Sequence, residues 1–472
     1  MAELKKNWLK FLSEEDIRSI DAASRQVLAE VGVRLEDDDL AARLVDAGGT
    51  RRKGRVQIPP GLIDAALADL PGEVIFGSRS GRKLHIREGD VATHTGGSIP
   101  YVVDLESGQK RNASLADLED MLRLMNHLEH LSMCGGVILP QEVPSSISEL
   151  TALAAVFRFG QKPGSGMAIS TAAQARYAVE LYKAMADAVP DLDQFPILNI
   201  GVSPESPLYY PREIVGIMKS LISAGIPTLA LVAPILGFTA PMTLAGGLTQ
   251  MNANLLAYAV ISHAINPATP MIYGARLCVA NMRTAHSVWG VPEVGVIGAC
   301  SAQLARYYGL PSDVYGYAST ACAYDPQLGA ETARNGLLPM QAGANIISGF
   351  GFFGSGFLSS LEGLVIDNEI FATNLHACRG ITVDADHLAV EVIAAAMDGK
   401  DYFLQQHTLK HLRTGELYQP KIGLYGLVKQ WEEEGAKDMT ERAREEVRNI
   451  LAANEDIPLP ESVEREFLNI LK

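Results

Sequence analysis

Several features that mark common protein classes are missing from this sequence. No cluster of lysine and arginine forms a basic patch, and the net charge of -15 argues against nucleic acid as a partner. The apolar runs are broken by proline, glycine or polar residues before they could cross a bilayer, and the N-terminal residues lack the apolar core of a signal peptide. The five cysteines form no CxxC pair, which fits a reduced cytoplasm. We therefore expect a cytoplasmic protein that binds neither nucleic acid nor membranes.

Common catalytic motifs are missing as well. No lysine occurs between Lys219 and Lys400, so the second half of the central region cannot form a Schiff base with a carbonyl substrate. The chain contains no HxH, HExxH, paired-cysteine or GxSxG motif, which argues against a zinc hydrolase and against a serine nucleophile. We expect no bound metal and no residue that makes or breaks bonds, only side chains that position the substrate.

The sequence does contain a regular series of short apolar or β-rich runs separated by helical segments. This alternation predicts βα repeats and hence an α/β protein with a (β/α)8 TIM barrel. A doubly wound open sheet is the alternative, but no GxGxxG motif follows the first strand and no GxxxxGK[ST] motif is present. The predicted strands are Ala92–Gly96, Met133–Ile138, Gly166–Ser170, Ile197–Gly201, Thr228–Val232, Met271–Ala275, Val314–Ala318 and Asn345–Gly349.

The regions that flank the barrel have a different character. Residues 1–90 combine an amphipathic helix, which Ser13 would cap, with short helices and a small β-element, so we predict an N-terminal cap. Residues 91–383 form the predicted barrel, and residues 384–472 form a helical C-terminal extension. The helices predicted in that extension are His387–Asp398, Lys429–Leu451 and Pro460–Leu471.

Aromatic residues collect at and just beyond the predicted strand ends, where a barrel of this kind carries its site. Aromatic ring faces bind quaternary ammonium groups, each ring contributing roughly 0.5 to 2 kcal/mol. A single aromatic residue at such a place more often packs in the core, so the prediction rests on the cluster. Tyr315 and Tyr317 alternate along one strand and should share a face, which we predict to be the lumen. The substrate-binding candidates are Tyr101, Tyr273, Tyr315, Tyr317, Tyr324, Phe353 and Phe357, with Phe350 and Phe352 in the same region.

Polar residues near the same strand ends are candidates for binding the rest of a substrate. Arg276 and Arg283 could each hold a substrate carboxylate through a two-pronged contact, or could pair with an acidic residue on a neighbouring loop. Asn199 lies inside a predicted strand, where a buried amide needs a partner. We predict that Asn199 faces the lumen and contacts the substrate.

The last two predicted strand ends carry further candidates. Asp325, Gln327 and Glu331 could position the substrate or cap the helix that follows them. Four glycines beside the last strand remove side chains and would let a large flat group approach the backbone, whereas a mobile loop is the alternative. These glycines are Gly349, Gly351, Gly354 and Gly356.

Longer segments of the chain resemble the trimethylamine methyltransferase superfamily, on the branch whose members lack pyrrolysine. The matching segments are HTGGSIPYVVDLESGQKRNASLADLEDMLRLMNHL, IPTLALVAPILGFTAPMTLAGGLTQMNANLLA, ARYYGLPSDVYGYASTACAYDPQLGAE and AGANIISGFG. The helix ending in LAEVGV and the segment HTLKHLRTGELYQPKI fit as well, so the resemblance covers nearly the whole chain.

The resemblance implies a TIM-barrel methyltransferase that moves a methyl group from a betaine-type quaternary amine to Co(I) of a corrinoid (cobalamin) carried by a separate corrinoid-binding protein. Glycine betaine, proline betaine, carnitine and butyrobetaine are the implied substrates, and trimethylamine is disfavoured because the sequence holds only standard residues. The four glycines are then the candidate corrinoid-docking loop, and the apolar C-terminal helices indicate a homo-oligomer. The alternatives are a non-catalytic betaine-binding protein, a methyltransferase for another methyl donor, and a lysine- or metal-dependent lyase or aldolase.

Overall fold

The computed structural model describes residues 8–189, 192 and 194–472. Its first helix starts with a capping box, because the Ser13 hydroxyl accepts from the Asp16 amide while the Asp16 carboxylate accepts from the Ser13 amide. The elements of this N-terminal part are α1 (Glu14–Glu30), β1 (Arg34–Leu35), α2 (Asp38–Asp46), β2 (Thr50–Arg52), β3 (Arg55–Gln57), α3 (Pro60–Asp69), β4 (Val74–Phe76) and β5 (Leu84–Ile86).

The central part alternates strands with helices. Its strands are β6 (Ala92–Thr95), β7 (Tyr101–Val103), β8 (Lys110–Asn112), β9 (Gly164–Ala168), β10 (Leu198–Val202), β11 (Tyr209–Tyr210), β12 (Thr228–Val232), β13 (Ile235–Leu236), β14 (Met271–Ala275), β15 (Cys278–Asn281), β16 (His286–Val288), β17 (Ser312–Tyr315), β18 (Ile346–Phe350) and β19 (Leu358–Ser359). Its helices are α4 (Leu115–His127), α5 (Ser148–Phe159), α6 (Ala172–Ala188), α7 (Arg212–Ser223), α8 (Leu244–Ile265), α9 (Pro292–Tyr307), α10 (Pro326–Gln341) and α11 (Leu361–Cys378).

Seven of the strands in the described residues form one parallel sheet, in the order β6-β18-β17-β14-β12-β10-β9. Its two edges meet through a short stretch of extended chain. The Met133 amide donates to the Thr93 carbonyl oxygen at 3.0 Å, and the Cys134 amide donates to the Pro163 carbonyl oxygen at 2.8 Å. The sheet therefore closes into a barrel with helices around it, which confirms the predicted fold. The predicted strand Met133–Ile138 is wrong as a strand, because its backbone makes only isolated bridges.

The N-terminal end of the barrel is filled by apolar side chains. The antiparallel pair β4 and β5 brings Val74, Phe76, Leu84 and Ile86 against the side chains that point into the barrel. Burial of each such side chain contributes about 1.5 to 3 kcal/mol, so the hairpin acts as a plug at this end. The carboxyl ends of the strands form the opposite end, the barrel mouth. The inward side chains packed on the plug are Ala92, Met133, Leu229, Ile272 and Ile346.

The C-terminal part has two sections with different packing. Its last helix returns to the barrel helices, where Phe467 packs on Phe157 with ring centroids 5.8 Å apart. In the preceding section, no residue from His376 to Lys421 is buried, and we call residues 380–428 the C-terminal lobe. The helices of this part are α12 (Ala385–Leu388), α13 (Val390–Met397), α14 (Gln406–Arg413), α15 (Val428–Glu433), α16 (Met439–Ala453) and α17 (Glu461–Ile470).

Two predicted C-terminal helices are interrupted in the structure. The predicted helix His387–Asp398 breaks at Ala389, whose φ is 53°, and the predicted helix Lys429–Leu451 breaks near Ala436, whose φ is 54°. A left-handed residue cannot continue a right-handed helix. No helix in the described ranges is long and apolar enough to cross a membrane. The domain boundaries after residues 90 and 383 stay predictions.

Candidate active site

Polar side chains replace apolar ones in the half of the lumen that lies nearer the barrel mouth. Because side chains alternate between the two faces of a strand, His94 on β6 and Ser348 on β18 lie two residues beyond side chains that pack on the plug. Asp313 on β17 points the same way, since it pairs in register with Ile346. Arg276, which directly follows β14, joins these three.

His94, Arg276, Asp313 and Ser348 form one buried network. Asp313 Oδ1 accepts from Arg276 Nη2 at 2.7 Å and from the Ser348 hydroxyl at 2.9 Å, and Asp313 Oδ2 lies 2.6 Å from His94 Nε2. None of the four side chains belongs to a residue more than 4% exposed. Burial raises the pKa of Asp313, but Arg276 and His94 outweigh burial and lower that pKa to about 2. Asp313 is therefore ionised at neutral pH.

Three aromatic rings stand at the mouth beside this network, and we call them the aromatic wall. The Trp289 ring meets the Tyr315 ring edge-on with centroids 5.0 Å apart, and the Phe352 centroid lies 5.5 Å from that of Tyr315. The guanidinium carbon of Arg276 lies 4.2 Å from the Tyr315 ring centroid, so this ring already binds a cation. Gly96 makes room for the wall, because a Cβ at that position would collide with the Phe352 ring.

A partly buried carboxylate supports the aromatic wall from behind. Glu331 Oε2 accepts from the Ser319 hydroxyl at 2.6 Å and from the Thr320 amide at 2.9 Å. The Thr320 hydroxyl in turn accepts from the Trp289 and Gly290 amides at 3.0 and 2.9 Å. A Cβ at Gly290 would collide with the Glu331 carboxylate. Glu331 thus holds Thr320, whose hydroxyl fixes the backbone of Trp289, and its carboxylate lies beside Gly290.

Two nitrogen donors on the lumen side of the barrel have no partner among the described residues. They are Arg276 Nε and Asn199 Nδ2, and both atoms are buried. Asn199 lies on the inner side of β10, where its Oδ1 accepts from the Ser165 hydroxyl at 3.1 Å. An unsatisfied buried donor costs about 1 to 3 kcal/mol. A ligand oxygen at either position would remove that cost.

Two predicted site residues lie on the outer side of the barrel wall. The expectation that Tyr317 shares a face with Tyr315 is wrong, because β17 ends at Tyr315 and the alternation stops there. The Tyr317 hydroxyl accepts from Asn374 on α11 at 3.3 Å. Tyr273 also points outward, and its hydroxyl donates to Asn252 on α8 at 2.8 Å. Neither ring lies in the lumen.

The other predicted aromatics lie around the mouth and, among the described residues, make no ring contact with the aromatic wall. The Tyr101 ring is already covered by the Lys110 ammonium, 3.8 Å from its centroid. Tyr324 and Phe353 pack on each other with centroids 4.8 Å apart, in a small separate apolar cluster. Phe357 is 51% exposed. Direct contact of these four residues with substrate stays a prediction without support from the geometry.

The remaining polar candidates divide into surface and capping residues. Arg283 is exposed in the turn between β15 and β16. Asp325 caps α10 by accepting from the Gln327 and Leu328 amides at 2.9 and 3.1 Å, and the Gln327 amide group donates to Glu331 at 2.8 Å. Of the two roles predicted for this segment, the structure shows the capping and support role.

The four glycines at and after the end of β18 let the loop pack tightly. Gly349, Gly351, Gly354 and Gly356 have φ values of 107°, 70°, 58° and 90°, in the left-handed region that favours glycine. A Cβ at Gly356 would press on the Phe352 ring of the aromatic wall. The loop is therefore built tightly around that ring, and contact with a corrinoid stays a prediction.

Sequence reasoning missed several residues of this site, and the reasons differ. Trp289 lies beyond a hairpin that periodicity does not reveal, although a lone tryptophan just before a helix was an available signal. His94 and Ser348 lie inside predicted strands, whereas Asp313 lies just before the predicted strand Val314–Ala318, because β17 begins at Ser312. Their inward direction follows only from the register of neighbouring strands.

This chain is similar in sequence and in fold to known methyltransferases. The model of the trimethylamine methyltransferase (MTTB) family matches residues 3–471. The chain is 26% identical over 464 residues to the trimethylamine methyltransferase MttB of Desulfitobacterium hafniense, covering 98% of this chain and 93% of that protein. It is 27% identical over 445 residues to the glycine betaine methyltransferase of the same species, covering 93% and 92%. The monomethylamine methyltransferase MtmB of Methanosarcina barkeri has the same fold, with a TM-score of 0.52 at 12% identity over 96% of this chain and 90% of that one.

Proposed function

The chain belongs to the trimethylamine methyltransferase family, and we propose that it transfers a methyl group from a betaine-type quaternary amine to Co(I) of a corrinoid on a separate protein. Its relatives include both a trimethylamine and a glycine betaine methyltransferase, at 26% and 27% identity. Identity alone therefore does not choose the substrate. The choice rests on the site, and chiefly on the aromatic wall beside a buried arginine.

The aromatic wall fits the cationic end of the substrate. A quaternary ammonium has no N–H to donate, so ring faces and nearby negative charge are the groups that can recognise it. Tyr315 already has the Arg276 cation against one side of its ring. Glu331 adds a carboxylate that enters no ion pair with another described residue, behind the Trp289 backbone. The wall and this charge together favour a trimethylammonium group at the mouth.

Arg276 fits the anionic end. Its Nη atoms are engaged by Asp313, Ser348 and backbone carbonyl groups, but its Nε is a buried donor without a partner in the described chain. A substrate carboxylate that accepts from Nε would lie a few ångströms from the Tyr315 ring, about the length of a short betaine. Trimethylamine has no carboxylate and would leave this donor unsatisfied.

The proposed methyl transfer needs no acid or base from this chain. The C–N bond breaks with its electron pair going to nitrogen, so the amine leaves neutral and needs no general acid. The acceptor Co(I) supplies the two electrons of the new Co–C bond. What remains for this chain is to hold the methyl group in line with the acceptor and to exclude water. That fits a site of rings and fixed polar groups.

The rim of the barrel mouth fits a docking surface for the corrinoid protein. Phe238, Met242, Met282 and Phe357 lie on loops at the strand ends and are 46%, 59%, 60% and 51% exposed. Exposed apolar groups around a site are typical of protein interfaces. We expect Met282→Asp to slow methyl transfer to the corrinoid protein while leaving transfer to free cobalamin unchanged. Equal slowing of both reactions would contradict docking at this rim.

The C-terminal lobe fits a contact between copies of this chain. The chain exposes 20797 Å², whereas a compact monomer of its mass would expose roughly 17,000 Å². The lobe contributes much of the exposed apolar surface, including Met397, Phe403 and Leu404 at 83%, 77% and 75% exposure. In a two-fold dimer each copy can cover the same patch on the other. We therefore include a homo-oligomer in the proposal.

The deciding experiment is a methylation assay with reduced corrinoid. Co(I) cobalamin, free or on a corrinoid protein, is mixed with the enzyme and with glycine betaine, proline betaine, carnitine, butyrobetaine or trimethylamine. The spectral change from Co(I) to methyl-Co(III) reports transfer. We expect transfer from at least one carboxylated amine and little from trimethylamine. Preference for trimethylamine would overturn the substrate proposal, and binding of a betaine without transfer to any corrinoid would favour a binding protein.

A further inference from the structure

A second cluster of chemically active side chains lies outside the barrel, in the C-terminal lobe. His407 and His411 are one turn apart on α14, so both imidazoles lie on the same face of the helix. His387 on α12 packs against His411. The ring centroids of His387 and His411 are 4.8 Å apart, and those of His407 and His411 are 4.3 Å apart.

Each imidazole donates through one ring nitrogen, which leaves a lone pair on the other. His387 Nδ1 lies 2.7 Å from Asp384 Oδ1, His407 Nε2 lies 3.0 Å from the Asp386 carbonyl oxygen, and His411 Nε2 lies 3.1 Å from Asp386 Oδ2. These oxygens are acceptors, so the nitrogens donate. His411 Nδ1 is buried and unpartnered within the described chain. Metal-ligating histidines are held by carboxylates or carbonyls in this way.

Candidate ligand atoms lie close together in two groups that share His411. One ligand atom each from His387, His411 and Glu416 lie within 4.8 Å of one another, and so do one each from Asp386, His407 and His411. Tetrahedral Zn²⁺ with bonds of about 2.0 Å places its ligand atoms roughly 3.3 Å apart. A small closure of two partly exposed helices onto an ion would reach that spacing. His411 belongs to both groups and lies at the centre of the cluster.

We propose that His387, His407, His411 and Glu416 bind a divalent transition-metal ion of the zinc class. Three imidazoles and one carboxylate match the ligand preference of Zn²⁺. Asp386 is better placed to orient two of the imidazoles than to bind the ion, because Lys410 Nζ already lies 2.6 Å from its Oδ2.

The fold gives such an ion a structural role. Because no residue from His376 to Lys421 is buried, the lobe has no apolar core of its own. Small units without a core are commonly held together by a metal, and binding of the metal contributes directly to their folding. An ion bound here ties α12 to α14. This site is remote from methyl transfer, and its existence does not depend on the proposed function.

The test measures zinc bound to the untagged full-length chain. Metal content is determined after dialysis, and affinity by competition with a chromophoric chelator, for wild type, His411→Ala and Glu416→Gln. His263→Ala is the matched control, since His263 is a surface histidine that pairs with one carboxylate, Asp69, at 2.8 Å. We expect one Zn²⁺ per chain in wild type and the control, and at least about tenfold weaker binding in the other two variants. No zinc in wild type, or equal zinc in His411→Ala, would overturn the proposal.

Hydrogen exchange supplies a second readout that does not depend on catalysis. In wild type, added zinc should slow amide exchange in residues 380–428 relative to EDTA, while the barrel strands stay unchanged. In His411→Ala, zinc should have no such effect. Exchange in the lobe of wild type that is the same with zinc and with EDTA would contradict the structural role.

Discussion

The barrel mouth and the C-terminal lobe place their charged and polar groups in opposite settings. At the mouth, Asp313, Arg276 and His94 are buried and paired with one another inside a closed sheet. In the lobe, histidines and carboxylates lie on partly exposed helices without a buried residue from His376 to Lys421. The mouth is thus held rigid by the barrel itself. The lobe needs something from outside its own chain segment, for which we propose an ion and a second copy.

The largest expected effect is a loss of stability when the buried network at the mouth is disrupted. Asp313→Asn would leave the Arg276 guanidinium buried without a charged partner, which typically costs about 3 to 5 kcal/mol. The free energy of unfolding from denaturant titration measures the loss. Glu106→Gln is the control, since Glu106 pairs with Arg448 at a similar 2.7 Å on the surface and should cost less than about 1 kcal/mol. Equal costs would show that the network does not stabilise the barrel.

The same network should make the stability of the protein depend on pH in the acidic range. The pKa of Asp313 is lowered to about 2 in the folded chain, against about 3.9 in an unfolded one. A lowered carboxyl pKa stabilises the fold above the unfolded value, and this contribution disappears as pH falls from about 4 to about 2. Wild type should therefore lose more stability than Asp313→Asn over this range, by the same denaturant titration.

The next effect concerns the aromatic wall. Trp289→Ala removes the ring that meets Tyr315 edge-on, and since one cation–π contact contributes up to about 2 kcal/mol, kcat/KM for the quaternary amine should fall by roughly 10- to 30-fold. Trp289→Phe should retain most of the activity. Steady-state kinetics with the best methyl donor decide this. Tyr273→Phe, on the outer side of the barrel wall, is the control that should leave kcat/KM unchanged, and unchanged kinetics in Trp289→Ala would remove the ring from the site.

In the lobe, a surface substitution should act on assembly and leave the barrel intact. Phe403 is 77% exposed, and burying a phenylalanine at an interface contributes about 1.5 to 3 kcal/mol. Phe403→Asp should therefore weaken self-association by roughly 10- to 100-fold, measured by analytical ultracentrifugation. Tyr177→Asp, an exposed aromatic on α6 at 46%, should not change association. A monomeric wild type would contradict the proposed dimer.

The sequence alone predicts some parts of the fold and misses others. The alternation of strands and helices predicts the barrel, and β12 and β14 match their predicted bounds. At the closing stretch the pattern predicts a full strand, Met133–Ile138, whereas the backbone there forms only isolated bridges to the two sheet edges. The chain from His387 to Asp398 reads as one helix, since a left-handed alanine at position 389 leaves no mark in composition.

The sequence likewise predicts some residues of the candidate site and misses others. Tyr315 and Arg276 are recognisable from their place at strand ends. Tyr317 is misassigned because the strand stops two residues before it, and Trp289 is missed because its position depends on Thr320 and Glu331, which lie far along the chain. Strand ends and long-range packing determine where these two side chains lie. Neither can be derived from the local pattern of a single sequence.

The smallest expected effect tests the charge behind the aromatic wall. Glu331→Gln keeps most of the hydrogen bonds to Ser319 and Thr320 but removes the negative charge. A charge that acts through partly solvated surroundings contributes on the order of 1 kcal/mol, so KM for a cationic donor should rise by roughly threefold to fivefold with kcat little changed. Kinetics at two salt concentrations measure this. No change in KM would limit Glu331 to holding the loop.

A calorimetric titration with three matched ligands tests the proposed binding mode most directly. Glycine betaine carries both the cation and the carboxylate, 3,3-dimethylbutanoate replaces the ammonium nitrogen by carbon, and tetramethylammonium lacks the carboxylate. If the aromatic wall binds the cation and Arg276 Nε binds the carboxylate, glycine betaine binds more tightly than either partial ligand, and Trp289→Ala reduces that advantage over 3,3-dimethylbutanoate. Equal binding of glycine betaine and 3,3-dimethylbutanoate by wild type would contradict recognition of a quaternary ammonium at this mouth.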